Sequence, residues 1–474
     1  MGKNFYRSTT KQLLTMSLYD HIYKLLPVPL QNLAVSTYGI FWYWLRFGGN
    51  YKSVENDYLE RDRYTKQQWD FYQQQTLQKL LSICVQEVQF YRANWSQSQK
   101  QAALSGKLSN LPLLEKDPIR ANPLGFCRQG HKPFPEVAAV TSGSTGTPIK
   151  TLWSASEVRD SLAVREVRSG RWAGVSFKLP RATFSGRMVE PDPDSKGPYY
   201  RFNQVEKQVY FSAFHLRPDT AHFYVEALHK HNIQWMTGYA VSFYLLAKFI
   251  LEKRLEVPSL KAIITTSEKL TTEMRYIMQQ AYGCRIYEEY STVENALFAS
   301  ECQHGRLHVS PDVGIVEILR PDGSRCDPGE MGEVVTTCLM RSYQIFIRYR
   351  LGDLAAWDSE PCPCGREMPV IKEVVGRMED VVVGPDGRQM VRFHGIFVNQ
   401  PHVVEGQIIQ EELDLIRVKV VPTSDFNQSD CLEIEKRIQQ RLGASVKVIV
   451  ETVSEIPRTK AGKFKAVISN LNSE

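Results

Sequence analysis

Long apolar runs are missing from this 474-residue chain. The nearest, Leu33 to Phe47, carries Arg46 and follows Pro27 and Pro29. It is shorter than the roughly 20 residues that a spanning helix needs, which excludes a bilayer crossing there. A dense Lys/Arg stripe is also missing. The net charge of +6 is diffuse, so a nucleic-acid partner is excluded, whereas a small anionic ligand suits it. No secretory leader is recognised, so the nine cysteines are expected to be reduced and the location cytoplasmic. Internal repeats and low-complexity linkers are lacking too.

What is present begins with a helical texture over residues 1–110. Tyr64 to Tyr91 places Leu77, Leu80, Leu81, Cys84 and Val88 at helical spacing. Phe41-Trp42-Tyr43-Trp44 marks an N-terminal helix expected to pack on the main domain. The same aromatics also suit a weak membrane-surface contact. From Val137 the pattern alternates. Val137–Val140 and Lys261–Thr266 read as strands, and Ala221–His229, Tyr239–Lys253 and Thr272–Tyr282 as helices. Such alternation predicts an α/β fold with parallel strands. Gly314–Leu319, Gly332–Thr337 and Ile345–Tyr349 read as strands of a β-rich subdomain. After the turn Gly384-Pro385-Asp386-Gly387 comes a small α+β unit. Its strands are Leu415–Val421 and Val446–Val453, and its helix Cys431–Leu442 has Asp430 as the expected cap and Gly443 as the stop.

Four segments carry the chemistry. The first, Thr141-Ser142-Gly143-Ser144-Thr145-Gly146-Thr147-Pro148, follows a strand and is dense in hydroxyl and N–H donors, which suits phosphate. It lacks the Gly-Lys-Ser/Thr ending of a P-loop NTPase. The others are Tyr290-Ser291-Thr292-Val293-Glu294, Tyr349-Arg350-Leu351-Gly352-Asp353 and Pro457-Arg458-Thr459-Lys460-Ala461-Gly462-Lys463. Together they offer a phosphate cradle, a carboxylate for a metal, a carboxylate for a ribose and a late lysine. Separately, Cys302-x5-His308 and Cys362-Pro363-Cys364-Gly365 supply four soft or borderline ligands. They suit a closed, structural Zn²⁺ site, with His304 competing with His308 as the nitrogen donor.

In these four segments, and over about residues 110–468, the chain resembles the adenylate-forming superfamily of acyl-CoA synthetases, luciferases and peptide-synthetase adenylation domains. Its nearest likeness is to the phenylacetate–CoA ligase-like branch. The resemblance implies a large N-terminal α/β domain with a β-rich subdomain and a small C-terminal α+β domain. The bounds expected are 1–110 for a helical region packed on the large domain, 111–379 for the adenylating domain and 380–474 for a mobile unit carrying the catalytic lysine. It also implies ATP-dependent, AMP-forming activation of a carboxylic acid, followed by acyl transfer to coenzyme A. An amide synthetase or carrier-protein loading enzyme shares the first step, and a non-catalytic nucleotide- or zinc-binding partner protein is the third reading. A homodimer is among the assemblies expected.

Carried over by position, Ser142, Gly143, Ser144, Thr145, Gly146 and Thr147 are expected on the ATP phosphates, and Thr266, Ser267 and Glu268 along the adenine. Tyr290 would stack on the base, Glu294 would ligate Mg²⁺ and Asp353 would hold the ribose hydroxyls. Arg377 falls at the interdomain junction, Asp380 near the hinge, and Lys463 at the substrate carboxylate and α-phosphate. The family pattern also favours His308 over His304 on the zinc. Departures stand at Ser291, where the family usually has glycine, and Val293, where it has a hydroxyl residue. Lys150 comes one place later than in many relatives. Phe211, Phe214, His215, Tyr239 and Tyr244 are the pocket candidates, and their aromatic density suggests a flat or apolar acyl group.

Overall fold

The computed structural model describes residues 25–140, 149–187, 195–375, 382–390, 402–457 and 466–471, together with 23, 189–190, 192, 396–397 and 400. Ser142 to Thr147, Arg377, Asp380 and Lys463 lie outside the described residues.

Three helices open the described chain: α1 (Val28–Phe47), α2 (Tyr51–Arg61) and α3 (Lys66–Glu87). Thr65 starts α3 with a capping box, its hydroxyl accepting from Gln68 while the Gln68 side chain accepts from the Thr65 N–H. Leu77, Leu80, Leu81 and Cys84 are buried along one face of α3, as their spacing requires. Shorter helices Gln89–Asn94, Gln97–Leu104 and Lys116–Ala121 follow.

The hairpin β1 (Val137–Val140) and β2 (Lys150–Trp153) forms a separate antiparallel pair in which Val140 faces Lys150. Helix α4 (Ala155–Val164) follows, capped by Ser154. A twelve-stranded mixed sheet then carries the large unit. Its parallel half is β3 (Arg181–Ser185), β5 (Gln208–Ser212), β6 (Trp235–Tyr239), β7 (Ala262–Thr266) and β8 (Arg285–Ser291), in the order β8-β7-β6-β3-β5. Strand β4 (Tyr200–Asn203) closes one edge antiparallel to β5. Helices α5 (Ala221–Lys230), α6 (Ala240–Lys253) and α7 (Thr272–Tyr282) are the crossovers. They pack Tyr224, Phe243, Leu246 and Met278 against Phe184, Phe211 and Ile263 on one face. On the other face, α2 and α4 meet Trp235, Ile264 and Phe298. Burial on both faces explains why β7 reads as a continuous buried run rather than an alternation.

The antiparallel half is β9 (Phe298–Glu301), β10 (Leu307–Val309), β11 (Gly314–Leu319), β12 (Gly332–Cys338), β13 (Tyr349–Trp357) and β14 (Val370–Val375). The strand expected over Ile345–Tyr349 is displaced. Regular pairing starts at Tyr349 and runs to Trp357. Arg348 sits in the left-handed region at φ 48°, and Ile345 and Ile347 donate to Phe126 O and Tyr91 Oη instead of to a ladder.

The C-terminal part has its own core of Val382, Ile408, Val418, Ile434, Ile438 and Val467. It contains the small hairpin β15 (Val382–Val383) and β16 (Gln389–Met390). A four-stranded sheet follows in the order β19-β18-β17-β20, made from β17 (Val403–Glu412), β18 (Leu415–Pro422), β19 (Lys447–Thr452) and β20 (Val467–Ser469). Helix α8 spans Gln428–Leu442. Its cap is Asn427, three residues before the expected Asp430; Asp430 is the reciprocal partner, accepting the Asn427 N–H at 2.9 Å. Gly443 ends it, at φ 110°.

Candidate active site

The carboxyl ends of β6, β7 and β8 form one edge of the parallel half, which is where ligands bind in open α/β sheets. Gly238 makes the close packing of that edge compatible with the backbone. A Cβ there would sit 1.9 Å from the Phe184 carbonyl oxygen, so only glycine fits just before Tyr239. Ser267 follows β7 at φ 74°, an uncommon conformation for a residue with a side chain. Glu268 accepts the Val241 N–H at 2.9 Å, so its carboxylate caps the positive N-terminal end of α6.

Tyr290 and Glu294 sit at and just past the end of β8, and β13 meets both. The Tyr290 hydroxyl donates to Asp353 Oδ2 at 2.8 Å. The Tyr349 hydroxyl donates to Glu294 Oε1 at 2.9 Å, and Glu294 is buried. Two residues four apart on one strand therefore hold the expected base-stacking tyrosine beside the expected ribose carboxylate and orient the expected metal carboxylate.

A buried arginine links this edge to β2, which follows Ser142 to Thr147 in the sequence. Arg341 is fully buried and donates to the Glu294 carbonyl at 3.1 Å and to the Leu152 carbonyl on β2. Its guanidinium stacks over Trp153 at 4.4 Å and lies 3.6 Å from Glu157. Glu157 in turn accepts the N–H groups of Ser154, Ser342 and Tyr343 at 2.7, 2.7 and 2.9 Å. Gln344 adds two bonds to the same strand, accepting from Leu152 N at 2.9 Å and donating to Lys150 O at 3.3 Å. Sequence reasoning passed over Arg341, Glu157 and Gln344. Their signal was the polar run Arg341-Ser342-Tyr343-Gln344 between two strands, which reads as an ordinary loop.

The aromatic candidates diverge. Tyr239 ends β6 on the same edge, its hydroxyl against Gly186. Phe211 is buried among Phe184 and Tyr224, in the cluster that Tyr239 also borders. The Phe214 ring packs against the C-terminal core and lies 5.9 Å from the Arg441 guanidinium. His215 is buried with both ring nitrogens engaged, Nδ1 to Ser212 Oγ at 2.8 Å and Nε2 to Asp192 O at 2.8 Å, and it stacks on Tyr199. Burial lowers its pKa, favouring the neutral ring. Tyr244 turns outward to Glu273 at 3.1 Å. Tyr239 ends β6, and Phe214 and His215 follow β5, so all three lie at the carboxyl ends of the parallel strands.

The Cys/His cluster does assemble. Cys302 follows β9, His308 lies in β10, and Cys362 and Cys364 lie between β13 and β14. Their donor atoms fall within 4.8 Å of one another. Cys302 Sγ is 3.6 Å from Cys362 Sγ, and Cys364 Sγ is 3.4 Å from His308 Nε2. A disulfide would need about 2.05 Å, whereas a tetrahedron with bonds of about 2.3 Å has edges of about 3.8 Å, so these residues fit a four-coordinate metal. His308 is held neutral, its pKa lowered to about 4 by burial and then by Arg366 and Arg306. His304 contributes its backbone N–H, 3.4 Å from Cys302 Sγ, rather than its ring. Because β9 runs antiparallel to β8, this cluster sits at the edge opposite Tyr290.

Comparison with known proteins gives these positions a context. The CapK C-terminal domain family matches residues 383–470. Protein CapK of Staphylococcus aureus is 24% identical over 471 residues, covering 96% of this chain and 100% of that protein. Phenylacetate-coenzyme A ligase of Thermus thermophilus is 23% identical over 239 residues, covering 44% of this chain and 54% of that one. Among solved structures, 2-hydroxyisobutyryl-CoA ligase with 2-HIB-AMP and CoA, in its thioesterification state, superposes with a TM-score of 0.54 at 19% identity, over 86% of this chain and 92% of that one. The fold is that of the adenylate-forming enzymes. In sequence the chain is similar to the phenylacetate–CoA ligase-like branch.

Proposed function

We propose that the protein activates a carboxylic acid with ATP as an acyl-AMP, releasing pyrophosphate, and passes the acyl group to coenzyme A. The observation that carries this reading is the paired contact of β13 with the end of β8, Tyr290 to Asp353 and Tyr349 to Glu294. It brings an aromatic ring and two carboxylates, one of them buried, to one sheet edge. The similarity to an acyl-CoA ligase supports the acceptor.

In this reading Tyr290 stacks on adenine, Ser267 and Glu268 border it, and Asp353 accepts from the ribose hydroxyls. Ser142 to Thr147 cradle the phosphates; in the sequence they precede β2, which Arg341 ties to Glu294. Glu294 holds Mg²⁺, which supplies charge neutralisation at the phosphates when bound. Attack of a carboxylate on the α-phosphorus brings two anions together, so repulsion dominates the barrier. Lys463 offsets it from the C-terminal unit, with Arg377 and Asp380 at the junction that lets that unit turn. One such charge-stabilising contact is worth about 10²–10³ in rate. The domain bounds follow: a helical region over 1–110, an adenylating domain over 111–379 and a mobile unit over 380–474. Cys302, His308, Cys362 and Cys364 hold a structural Zn²⁺ that ties the β9–β10 hairpin to the β13–β14 loop. Nine free cysteines suit the reducing cytoplasm.

The test is a panel of carboxylic acids with ATP and Mg²⁺, followed by coenzyme A or amines. Acid-dependent pyrophosphate and an acyl-CoA thioester are expected. ADP as the product overturns the reading, and an amide in place of the thioester overturns the acceptor.

A further inference from the structure

Helix α1 is apolar on its outward side as well as at Leu45, which is fully buried. A surface helix ordinarily turns its apolar stripe to the core and its polar face to water. Here the inward side is pinned by polar groups. Gln31 accepts from Arg201 and donates to Leu26 O at 2.9 Å. Asn32 accepts the Phe202 N–H at 2.9 Å and Ser36 accepts the Gln204 N–H at 3.0 Å, both along β4. Gly39 lets the helix approach so closely that a Cβ would meet the Asn203 amide at 2.5 Å. The outward side carries no charged residue. Leu33 is 62% exposed, Ile40 60% and Trp44 53%, with Leu30, Tyr38 and Phe41 exposed between them.

The N-terminal stretch of the sequence is basic, and Arg46 within it pairs with Glu206. Residues 1–54 contain Lys3, Arg7, Lys11, Lys24, Arg46 and Lys52 against the single acid Asp20, a net +5 of the chain's +6. The next acid, Glu55, is buried and paired with Lys52 and Arg171. Two further cations border the aromatics: the Arg159 guanidinium lies 5.9 Å from the Trp44 ring, and the Lys178 ammonium 5.6 Å from the Phe47 ring.

We propose that the outer face of α1 docks on the surface of an anionic lipid bilayer, lying in the interface with its leucine, isoleucine and aromatic side chains inserted. Tryptophan and tyrosine favour that depth, and the surrounding cations meet acidic headgroups. No described helix is long and apolar enough to cross a membrane, so the contact is peripheral. Charge decides between lipid and a second copy of this chain. A symmetric dimer through α1 would bring Arg159 and Lys178 of the two copies together, whereas an acidic bilayer complements them.

The test is flotation of the full chain with vesicles of phosphatidylcholine plus phosphatidylglycerol, against phosphatidylcholine alone. The chain is expected to float with the mixed vesicles, not with the neutral ones, and to be released by salt. Leu33→Ser, Ile40→Ser and Trp44→Ser combined should weaken partitioning by at least about tenfold while leaving the melting temperature and ATP turnover in solution unchanged. Three results would overturn the proposal: no flotation with acidic vesicles, equal flotation of the triple variant, or a wild-type dimer in light scattering that the triple variant converts to monomer.

Discussion

Replacing Arg341 with methionine probes how the two halves of the site are held in register. The guanidinium is fully buried and serves the Glu294 carbonyl, the Leu152 carbonyl and the Glu157 carboxylate at once. Methionine keeps most of the volume and removes every donor. Glu157 retains its three N–H partners, so it is not left bare. The two carbonyls are left without this donor, at about 1–3 kcal/mol each. Breaking a buried ionic contact by removing one partner typically costs about 3–5 kcal/mol in all. Folded domains have only about 5–15 kcal/mol to lose, so the melting temperature should fall clearly. The Glu294 backbone and the β2 hairpin then lose their common anchor. A displacement of about 1 Å in such a group costs about 10²-fold in turnover. Acid-dependent pyrophosphate release and a thermal melt read the two effects. Arg341→Lys keeps the charge but not the forked geometry, and should fall between. Wild-type melting together with wild-type turnover in Arg341→Met would refute the reasoning.

Three further outcomes follow from the same geometry. Tyr290→Phe removes the hydroxyl that steadies Asp353; a hydrogen bond to a charged group is worth about 1.5–3 kcal/mol, so KM for ATP should rise by about tenfold with kcat little changed. Cys362→Ser combined with Cys364→Ser should strip a bound metal that elemental analysis otherwise finds at about one zinc per chain, and should lower the melting temperature. Glu288 has its pKa raised from 4.5 to about 7, first by burial and then by Glu301. A raised folded-state value means its contribution to stability is fully present below pH 4.5 and lost as pH rises through about 7. Glu288→Gln should therefore flatten the fall in stability over that window, measured by denaturant unfolding at several pH values.

The parts legible in the sequence were those with a strong local code. Helix α7 over Thr272–Tyr282 and strand β11 over Gly314–Leu319 fall where their periodicity and flanking turns put them. The Cys/His cluster was legible because cysteine pairs are rare and closely spaced. Strands β3 to β5 were not, because Arg181–Ser185 and Gln208–Ser212 mix polar and apolar residues over only five positions and owe their state to neighbours far away in sequence. Ile345–Tyr349 is apolar enough for a strand, but Arg348 turns the backbone left-handed there. Within the site, the motif residues Tyr290, Glu294 and Asp353 could be chosen from the chain, yet the hydroxyl of Tyr349 on Glu294 and the bonds of Arg341 depend on tertiary placement alone. Residue type likewise could not show that the His215 ring is spent on Ser212 and Asp192.

The most direct measurement follows an oxygen atom. A carboxylic acid that the panel identifies as a substrate is supplied with both carboxyl oxygens as ¹⁸O, together with ATP, Mg²⁺ and coenzyme A, and the nucleotide product is weighed. If the acid's oxygen attacks the α-phosphorus, AMP gains one heavy oxygen and pyrophosphate gains none, and Lys463→Ala abolishes the label. Heavy oxygen in phosphate with ADP as the nucleotide, or full labelling of AMP by Lys463→Ala, contradicts the account.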